Sequence, residues 1–157
     1  MHQACLLLGS NIDPERNIPR AVGLLGERVK IMQISSVWES ASAECCYPDY
    51  LNMAVLVSTP LEAKQLKEQV LRPLEEQMGR VRTEDKNASR PIDFDIILFD
   101  EALLDPSLLQ FAFRAVPVSE IYPEYLSADG EQLKDIAKRL TETNPVKIRQ
   151  DISIYLT

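Results

Sequence analysis

The sequence predicts an α+β fold: a ferredoxin-like βαββαβ core with an antiparallel sheet, followed by a C-terminal extension. The first observation is the order of the apolar segments, which read as strand, helix, strand, strand, helix, strand. The second is a proline at the start of each of the two core helices, Pro14 and Pro60, where its missing N–H costs nothing. The third is a composition of 45% hydrophobic and 26% charged residues, which is ordinary for a globular chain. We expect one domain over residues 1–157, with helices on one face of the sheet.

A short strand and an amphipathic helix open the chain. Residues 4–8 are uniformly apolar and predict a buried strand. Asp13 is expected to cap the following helix, with Pro14 at the first helical position and an apolar stripe to about Leu25. Residues 29–38 alternate loosely between apolar and polar side chains, which predicts the second strand.

The next segments predict a third strand and a second helix. Residues 40–49 are small and polar and indicate a loop, and residues 50–57 indicate the strand. Thr59 is expected to cap the second helix, with a proline at its first position. The helix should reach about Met78, with an irregularity at Pro73.

The C-terminal part gives weaker patterns. We expect an extended segment over residues 111–116, a short turn over 118–121 and a helix over 130–140. A last strand is expected near residues 148–155.

Charge and residue types exclude several classes of function. A net charge of −7 argues against broad binding of a nucleic-acid backbone. The single histidine, His2, excludes a catalytic triad or a histidine zinc site in the body of the chain. Three cysteines make no disulfide framework, and no apolar run is long enough to span a bilayer. We expect no signal peptide, because no basic region precedes the first apolar stretch. We therefore expect a cytoplasmic protein whose catalysis depends on carboxylates, arginines, lysines, backbone amides and a metal.

Two carboxylates stand at the entrance of a predicted strand. Because side chains alternate along a strand, Asp93 and Asp95 share a face and lie about 7 Å apart. The opposite face is expected to carry Ile92, Phe94, Ile96 and Leu98. Neighbouring like charges repel, and Mg²⁺ bound by carboxylate oxygens would remove that conflict. The alternative is a polar strand face that merely meets water.

A cationic segment precedes these carboxylates. Four cations follow Gly79, which is a natural end for the second helix: Arg80, Arg82, Lys86 and Arg90. Arginine binds phosphate oxygens in a bidentate manner, so the segment and the aspartates together suit a metal–nucleotide site. A solvated, charged loop is the alternative, and the acidic pair immediately downstream favours the metal–nucleotide interpretation.

At this point the chain resembles the 6-hydroxymethyl-7,8-dihydropterin pyrophosphokinase family, which transfers a pyrophosphoryl group from ATP to the hydroxymethyl oxygen of a pterin. Five motifs in the right order carry the resemblance over most of the chain. They are Leu8-Gly9-Ser10-Asn11 with Asn17 and Ala21; Ser35-Ser36-Val37-Trp38-Glu39-Ser40; Pro48-Asp49-Tyr50-Leu51-Asn52 with Ala54-Val55; Glu75 and Gly79-Arg80-Val81-Arg82 with Arg90 and Asp93-Phe94-Asp95-Ile96-Ile97-Leu98-Phe99; and Pro117, Glu120-Ile121 and Pro123.

The resemblance implies a role for each matching residue. Asp93 and Asp95 would hold two Mg²⁺ ions and, with Arg80, Arg82 and Arg90, would form the catalytic set. The implied contacts with ATP are Glu75, Arg80, Arg82, Lys86, Arg90 and Ile96. The implied pterin pocket is Gly9, Ser40, Ala41, Ala43, Tyr50, Asn52 and Phe113, with Asn52 on the edge of the ring and the two aromatic side chains on its faces. The expected partners are these small molecules, without nucleic acid or membrane, and we expect a monomer.

The chain departs from the family pattern at three places. One is the loop after the second strand, where Ala41-Ser42-Ala43-Glu44 replaces the usual Pro-x-Gly character. Asn87-Ala88-Ser89 replaces a Trp-Gly-Pro element, so an aromatic side chain is missing there. After Phe99 the chain has no His-Pro element, and Phe111 stands where the family has an arginine. Arg114 is nearby, but its spacing to Pro117 differs from that of the family arginine. Part of the expected ATP contacts is therefore missing.

Three functions remain open from the sequence. The first is an active pyrophosphokinase, which the intact aspartate pair favours. The second is a diverged relative that binds a pterin or nucleotide with altered or no activity, which the missing residues favour. The third is a ferredoxin-like interaction or RNA-binding module, which the acidic charge and the aspartate pair disfavour.

Overall fold

The computed structural model describes residues 1–41, 49–80 and 90–156. The strands within these ranges are β1 (His2–Ser10), β2 (Lys30–Ile34), β3 (Trp38–Ser40), β4 (Tyr50–Thr59), β5 (Asp93–Phe99), β6 (Ala102–Leu103) and β7 (Lys147–Ile148). The α-helices are α1 (Pro14–Gly26), α2 (Ala63–Leu66), α3 (Arg72–Gln77), α4 (Ala112–Ile121) and α5 (Leu133–Thr141). In the described ranges, none of the helices is long and apolar enough to cross a membrane.

The described strands form one antiparallel sheet. Its order is β6-β5-β1-β4-β3-β7, and β2 pairs with β4 beside β3. The central order β5-β1-β4, followed by β2 and β3, is the strand order of a ferredoxin-like βαββαβ core. The predicted α+β class is confirmed.

Each face of the sheet has its own apolar core. Helices α1, α2 and α3 cover one face, as predicted for the core helices, and they pack on residues such as Leu6, Val55 and Phe94. The C-terminal helices α4 and α5 cover the other face, where they pack on Cys5, Leu7, Ala54, Ile97 and Leu98. The C-terminal extension therefore covers the second face of the sheet.

The predicted second strand is two strands, β2 and β3. Between them, Ser35 forms two bonds to Ala54: its N–H donates to the Ala54 carbonyl at 2.9 Å, and its hydroxyl accepts from the Ala54 N–H at 2.8 Å. Ser35 thus satisfies the polar groups of β4 where regular pairing stops.

Of the two predicted helix caps, Asp13 occupies the N-cap position without the expected side-chain bond, and Thr59 is not a cap. Asp13 precedes α1, but it has a left-handed backbone (φ 43°) and no capping side-chain bond. The second helix begins at Ala63, where Glu62 and Gln65 form a capping box. Thr59 is the last residue of β4, and its hydroxyl accepts from the N–H of Leu61 at 3.2 Å, so Thr59 does not cap the helix.

The second helix is continuous but irregular. A π-helical turn, Lys67–Leu71, joins α2 to α3 just before Pro73, where the sequence predicted an irregularity. The N–H of Arg72 bonds to the carbonyl of Lys67, one residue further back than in an α-helix. Gly79 follows α3 with φ +92°, a conformation that favours glycine and ends the helix.

The extended segment and turn predicted over residues 111–121 are wrong, because these residues form α4. Its central residues are buried against the sheet on one side and α5 on the other, so packing overrides the short alternating pattern. The helix predicted over 130–140 is α5, which begins three residues later than predicted. The last strand is only β7, Lys147–Ile148, paired with β3.

A register shift in β5 changes the expected alternation. Cys5 pairs with Leu98, and Leu6 pairs with Ile96, so Ile97 is an extra residue in β5. As a result, Ile97 and Leu98 both join the core under α4 and α5, while Phe99 packs on the opposite face. The prediction that Leu98 shares a face with Ile92, Phe94 and Ile96 is therefore wrong.

Candidate active site

The candidate site begins as a row of residues across three strands. Gly9 in β1 pairs with Asn52 in β4 on one side and with Asp93 in β5 on the other. Asp95 follows Asp93 on the same face and pairs with Leu7. Residues predicted for pterin binding and for metal binding are thus neighbours on one face, at one end of the sheet.

Asp93 is held by two arginines. Arg80 Nη1 lies 2.6 Å from Asp93 Oδ1, and Arg90 Nη1 lies 3.3 Å from Asp93 Oδ2. The same Arg80 nitrogen lies 2.7 Å from Glu75 Oε2. Burial lowers the pKa of Arg80, but Asp93 and Glu75 raise it by more, so the net shift is upward. Arg80 therefore remains a fixed positive charge beside Asp93.

Glu75 fixes the second helix to the edge of β5. Its side chain is buried, and Oε2 accepts from the backbone N–H of Phe94 at 2.9 Å as well as from Arg80. A buried carboxylate is tolerated only when it is paired and hydrogen-bonded. Glu75 therefore positions Arg80 and the start of β5 relative to each other.

Asn11 holds the chain where it enters β5. The backbone N–H of Arg90 donates to Asn11 Oδ1 at 2.6 Å, and the N–H of Asn11 donates to the Arg90 carbonyl at 3.1 Å. Asn11 is buried, and its Nδ2 has no hydrogen-bond partner among the described residues. The sequence placed Asn11 in a family motif without assigning it a role.

Asp95 contacts a third arginine, Arg114, from α4. Arg114 Nη1 lies 3.2 Å from Asp95 Oδ2 and 3.3 Å from Asp105 Oδ2. Burial raises the pKa of Asp95, and the charge of Asp93 raises it further, although Arg114 opposes both. An additional positive charge near Asp95 would therefore stabilise its ionised carboxylate.

These side chains surround a small pocket of about 200 Å³. Among the described residues, five cations and three carboxylates line it, together with Leu71 and Phe94: Lys67, Arg72, Arg80, Arg90 and Arg114, with Glu75, Asp93 and Asp95. A larger cavity of about 580 Å³ lies elsewhere, between α1, the end of β4 and Tyr155, and none of the predicted site residues lines it.

Three cations of the pocket were missed or set aside by sequence reasoning. Lys67 and Arg72 lie on the second helix and face the pocket with Glu75. Their helical spacing to Glu75 could have indicated this, because residues about one or two turns apart share a helix face. The spacing of Arg114 to Pro117 differs from that of the family arginine, so the sequence does not assign Arg114 to the site. That spacing cannot show where α4 places the Arg114 side chain.

The predicted pterin residues form the other end of the row. Asn52 is buried, and its Nδ2 donates to Ser40 Oγ at 3.2 Å. A Cβ on Gly9 would lie 2.9 Å from Asn52 Oδ1 and 3.8 Å from the ring of Tyr50. The missing side chain of Gly9 thus makes room for Asn52 in the middle of the site.

The remaining predicted residues have different surroundings. Ala41 is exposed beyond β3, and Ile96 lies on the opposite face of β5, against the core beneath α1 and α3. Phe113 stacks on Phe111 with 5.5 Å between ring centroids. The guanidinium of Arg114, which pairs with Asp95, lies 5.3 Å from the centroid of the Phe113 ring. The predicted residues Ala43, Arg82 and Lys86, as well as Asn87-Ala88-Ser89, lie outside the described residues.

The two aspartates fit a metal that shares its ligands with a substrate. In the part of the chain that the structure describes, no three or more His, Cys, Asp or Glu side chains are grouped to hold a metal by themselves. Mg²⁺ typically uses one or two carboxylates together with phosphate oxygens and water. Asp93 and Asp95, facing one pocket with surrounding cations, suit that shared coordination.

Comparison with solved structures shows the same fold in longer chains. Wild-type Plasmodium falciparum HPPK-DHPS is similar with a TM-score of 0.71 and 12% identity over 96% of this chain and 47% of that chain. The same protein in a structure with pteroate is similar with a TM-score of 0.69 and 12% identity over 90% of this chain and 43% of that chain. The chain thus spans less than half the length of these relatives.

The sequence itself matches a protein-family model. The match covers residues 5–123, and the family is described as 7,8-dihydro-6-hydroxymethylpterin-pyrophosphokinase (HPPK). That range contains the row from Asp93 to Asn52, Glu75, and the three arginines that contact the site carboxylates within the described residues. The chain belongs to the 7,8-dihydro-6-hydroxymethylpterin-pyrophosphokinase family.

Proposed function

We propose that this chain transfers the pyrophosphoryl group of ATP to the hydroxymethyl oxygen of 6-hydroxymethyl-7,8-dihydropterin, in folate biosynthesis. The observation that carries the proposal is the row of Asp93, Gly9 and Asn52 across β5, β1 and β4. It places a carboxylate suited to a metal next to an amide suited to a heterocycle. The substrates named in this proposal are those in the description of the family to which the chain belongs, together with ATP.

In the proposed reaction, the hydroxymethyl oxygen attacks the β-phosphorus of ATP. A new P–O bond forms to the pterin, the bond from the β-phosphorus to the oxygen bridging it to the α-phosphate breaks, and AMP leaves. The proton of the hydroxyl group passes to solvent. This reaction needs alignment and charge neutralisation rather than a covalent enzyme intermediate.

In this proposal the carboxylates bind the metal ions and the arginines bind the phosphate groups. Asp93 and Asp95 would hold two Mg²⁺ ions, which supply neutralisation of the phosphate oxygens when bound. Arg80 and Arg90 already contact Asp93, so they lie where they could also reach a phosphate bound beside it. Arg82 and Lys86 are proposed as further ATP contacts on the basis of the family resemblance.

Pterin recognition is proposed at the Asn52 end of the row. An amide offers both a donor and an acceptor, which suits the mixed edge of a pterin. Tyr50 is half-buried next to Gly9, and an aromatic ring can stack on a flat heterocycle. Gly9, Ser40, Ala41, Ala43 and Phe113 are proposed to complete this pocket.

A second candidate is a relative that binds these ligands without transferring the pyrophosphoryl group. It is favoured by Phe111, which stands where the family has an arginine, and by the missing aromatic residue among 87–89. Loss of such contacts would weaken the stabilisation of charge in the transition state.

The decisive experiment is an assay for AMP with Mg·ATP and the dihydropterin alcohol. We expect AMP release that depends on the pterin and falls by more than about a hundredfold in Asp93→Asn and Asp95→Asn, since both carboxylates bind the metal. Asp129→Asn, an exposed change outside the site, is the matched control. Pterin binding without AMP formation would support the second candidate, and failure to bind either ligand would contradict both.

We also propose that the protein acts in the cytoplasm as a monomer on these small molecules. A cytoplasmic location agrees with the free thiol of Cys5, which is buried in β1. Sedimentation of the purified protein across a range of concentrations tests the monomer, and a concentration-dependent dimer would contradict it.

A further inference from the structure

Arg114 is shared between two carboxylates on different elements. The same nitrogen, Nη1, lies 3.2 Å from Asp95 in β5 and 3.3 Å from Asp105 in the turn before α4. The side chain is only 18% exposed, and its guanidinium lies 5.3 Å from the Phe113 centroid. Arg114 is therefore held in place from several sides and lines the same pocket as Arg80 and Arg90.

The two carboxylates have different surroundings. Asp95 lies two residues after Asp93 on the same face of β5, so a second carboxylate faces the pocket beside it. Asp105 accepts from the backbone N–H of Ser107 at 3.0 Å and from its hydroxyl at 2.6 Å, which fixes its orientation. If a cation took Asp95, Arg114 would still have Asp105 as its partner. The charge of Arg114 would therefore stay paired, and this matters because an unpaired charge in a partly buried position is costly.

We propose that Arg114 binds the nucleotide phosphates in this chain. Without ligand, Arg114 neutralises Asp95. When a metal ion occupies Asp95, Arg114 keeps its contact with Asp105 and donates to a phosphate oxygen. This inference rests on the proposed function. It assigns a cationic contact from α4 in the pocket that Arg80 and Arg90 also line. Arg114 thereby supplies positive charge in the first turn of α4, close to Phe111, which stands where the family has an arginine.

The proposal predicts two opposite effects of Arg114→Gln. Without nucleotide, the change removes a positive charge next to Asp95, so Mn²⁺ should bind at least about threefold more tightly. With Mg²⁺ present, the non-reactive analogue α,β-methylene-ATP should bind about tenfold more weakly or worse, because one charge-assisted contact is lost. Calorimetry measures the analogue, and the electron paramagnetic resonance signal of free Mn²⁺ measures the metal.

Two further variants make the result specific. Arg114→Lys keeps the charge and should restore the wild-type Mn²⁺ affinity, while it recovers only part of the analogue affinity because lysine lacks the planar fork. Arg139→Gln removes an arginine that pairs with Glu131 on the exposed surface of α5, and neither affinity should change. Thermal unfolding of each variant shows that it is folded.

The outcomes separate this inference from the proposed function. Unchanged analogue affinity in Arg114→Gln overturns the phosphate role, and weaker or unchanged Mn²⁺ binding overturns the competition for Asp95. Either result can occur while the wild-type protein still forms AMP from ATP and the pterin, in which case the proposed function stands. A wild-type protein that binds the analogue but forms no AMP contradicts the proposed transfer without touching the role of Arg114.

Discussion

Gly9 has no room for a side chain without a shift of its neighbours. A Cβ at this position would lie 2.9 Å from Asn52 Oδ1, and Asn52 is buried and bonded to Ser40. In Gly9→Ala, Asn52 must shift and weaken that bond, so the free energy of unfolding should fall by about 1 kcal/mol. The KM for the pterin should rise severalfold, while the KM for ATP should hardly change.

Gly23→Ala is the matched control for Gly9. Nothing lies within 4 Å of a Cβ at Gly23, which is exposed on α1, so alanine should raise the free energy of unfolding by up to about 1 kcal/mol. Urea unfolding and steady-state kinetics measure both variants. An unchanged KM for the pterin in Gly9→Ala would contradict the placement of Asn52 in the pterin pocket.

Glu75 is predicted to stabilise the fold and the site together. Glu75→Ala leaves the buried N–H of Phe94 without its acceptor and removes one of the carboxylates that pair with Arg80, which keeps its contact with Asp93, so the free energy of unfolding should fall by about 2 kcal/mol. Glu75→Gln keeps an acceptor oxygen and should cost less. The exposed neighbour Glu76 provides the control, since Glu76→Ala should be nearly neutral. Equal losses in Glu75→Ala and Glu76→Ala would show that Glu75 does not anchor β5.

At this scale the sequence could predict the short-range part of the site. Asp93, Asp95 and Arg90 are close in the chain, and a strand places the two aspartates on one face whatever the rest of the fold does. The contact of Arg114 with Asp95 spans 19 residues and depends on the packing of α4. Sequence spacing does not contain that information, because the position of a helix on a sheet is set by tertiary contacts.

Among the elements, α4 connects the two halves of the site. Its first turn carries Phe113 and Arg114, and Glu120 near its other end holds β3. Glu120 accepts from the backbone N–H of Ser36 at 2.9 Å, from the Ser36 hydroxyl at 2.8 Å and from Trp38 Nε1 at 2.9 Å. Since β3 also carries Ser40, the bonds of Glu120 set the position of α4 relative to the Asn52 end of the row.

We predict that Glu120→Gln loosens this connection. The amide offers a single acceptor oxygen for the three donors, so the free energy of unfolding should fall by about 1 kcal/mol, a modest value because the group is exposed. Trp38 is the only tryptophan in the chain, so its emission should shift to longer wavelength as its indole N–H loses Glu120. The exposed Glu124→Gln is the control and should change neither property. An unshifted emission in Glu120→Gln would contradict the bond to Trp38.

The elements that sequence reasoning placed correctly are those with a clear apolar run or stripe. Strands β1 and β4 and helix α1 fall close to their predicted positions, because residues 4–8 are uniformly apolar, residues 50–57 are nearly so, and α1 has an apolar stripe along one side. Residues 111–116 form a short run that ends near Pro117, and its alternation matched a strand by chance. The bulge at Ile97 in β5 could not be predicted from the sequence either, because a bulge is defined by the pairing with the partner strand β1.

On the scale of the whole molecule, the site and one pH-sensitive contact lie at opposite ends of the sheet. The site is at the end of β1 that carries Gly9. At the other end, His2 Nδ1 lies 2.6 Å from Asp100 Oδ2 and Nε2 lies 3.2 Å from Glu62 Oε1. The imidazole also packs on Phe99, with 5.0 Å between ring centroids. His2 thus joins the start of β1 to the end of β5 and to the cap of α2.

This contact predicts how the stability of the whole fold changes with pH. The hydrogen bond to Asp100 raises the pKa of His2, burial opposes the shift, and Glu62 adds to it. The protonated form is favoured in the folded state, so its stabilisation is fully present below the ordinary pKa of 6.5 and is lost as the pH rises through the raised pKa. The difference in melting temperature between wild type and His2→Gln should therefore be constant from pH 5 to about 6.5 and shrink above it. Calorimetry from pH 5 to 9 measures this difference, and one that persists unchanged at pH 9 would show that protonation of His2 does not stabilise the fold.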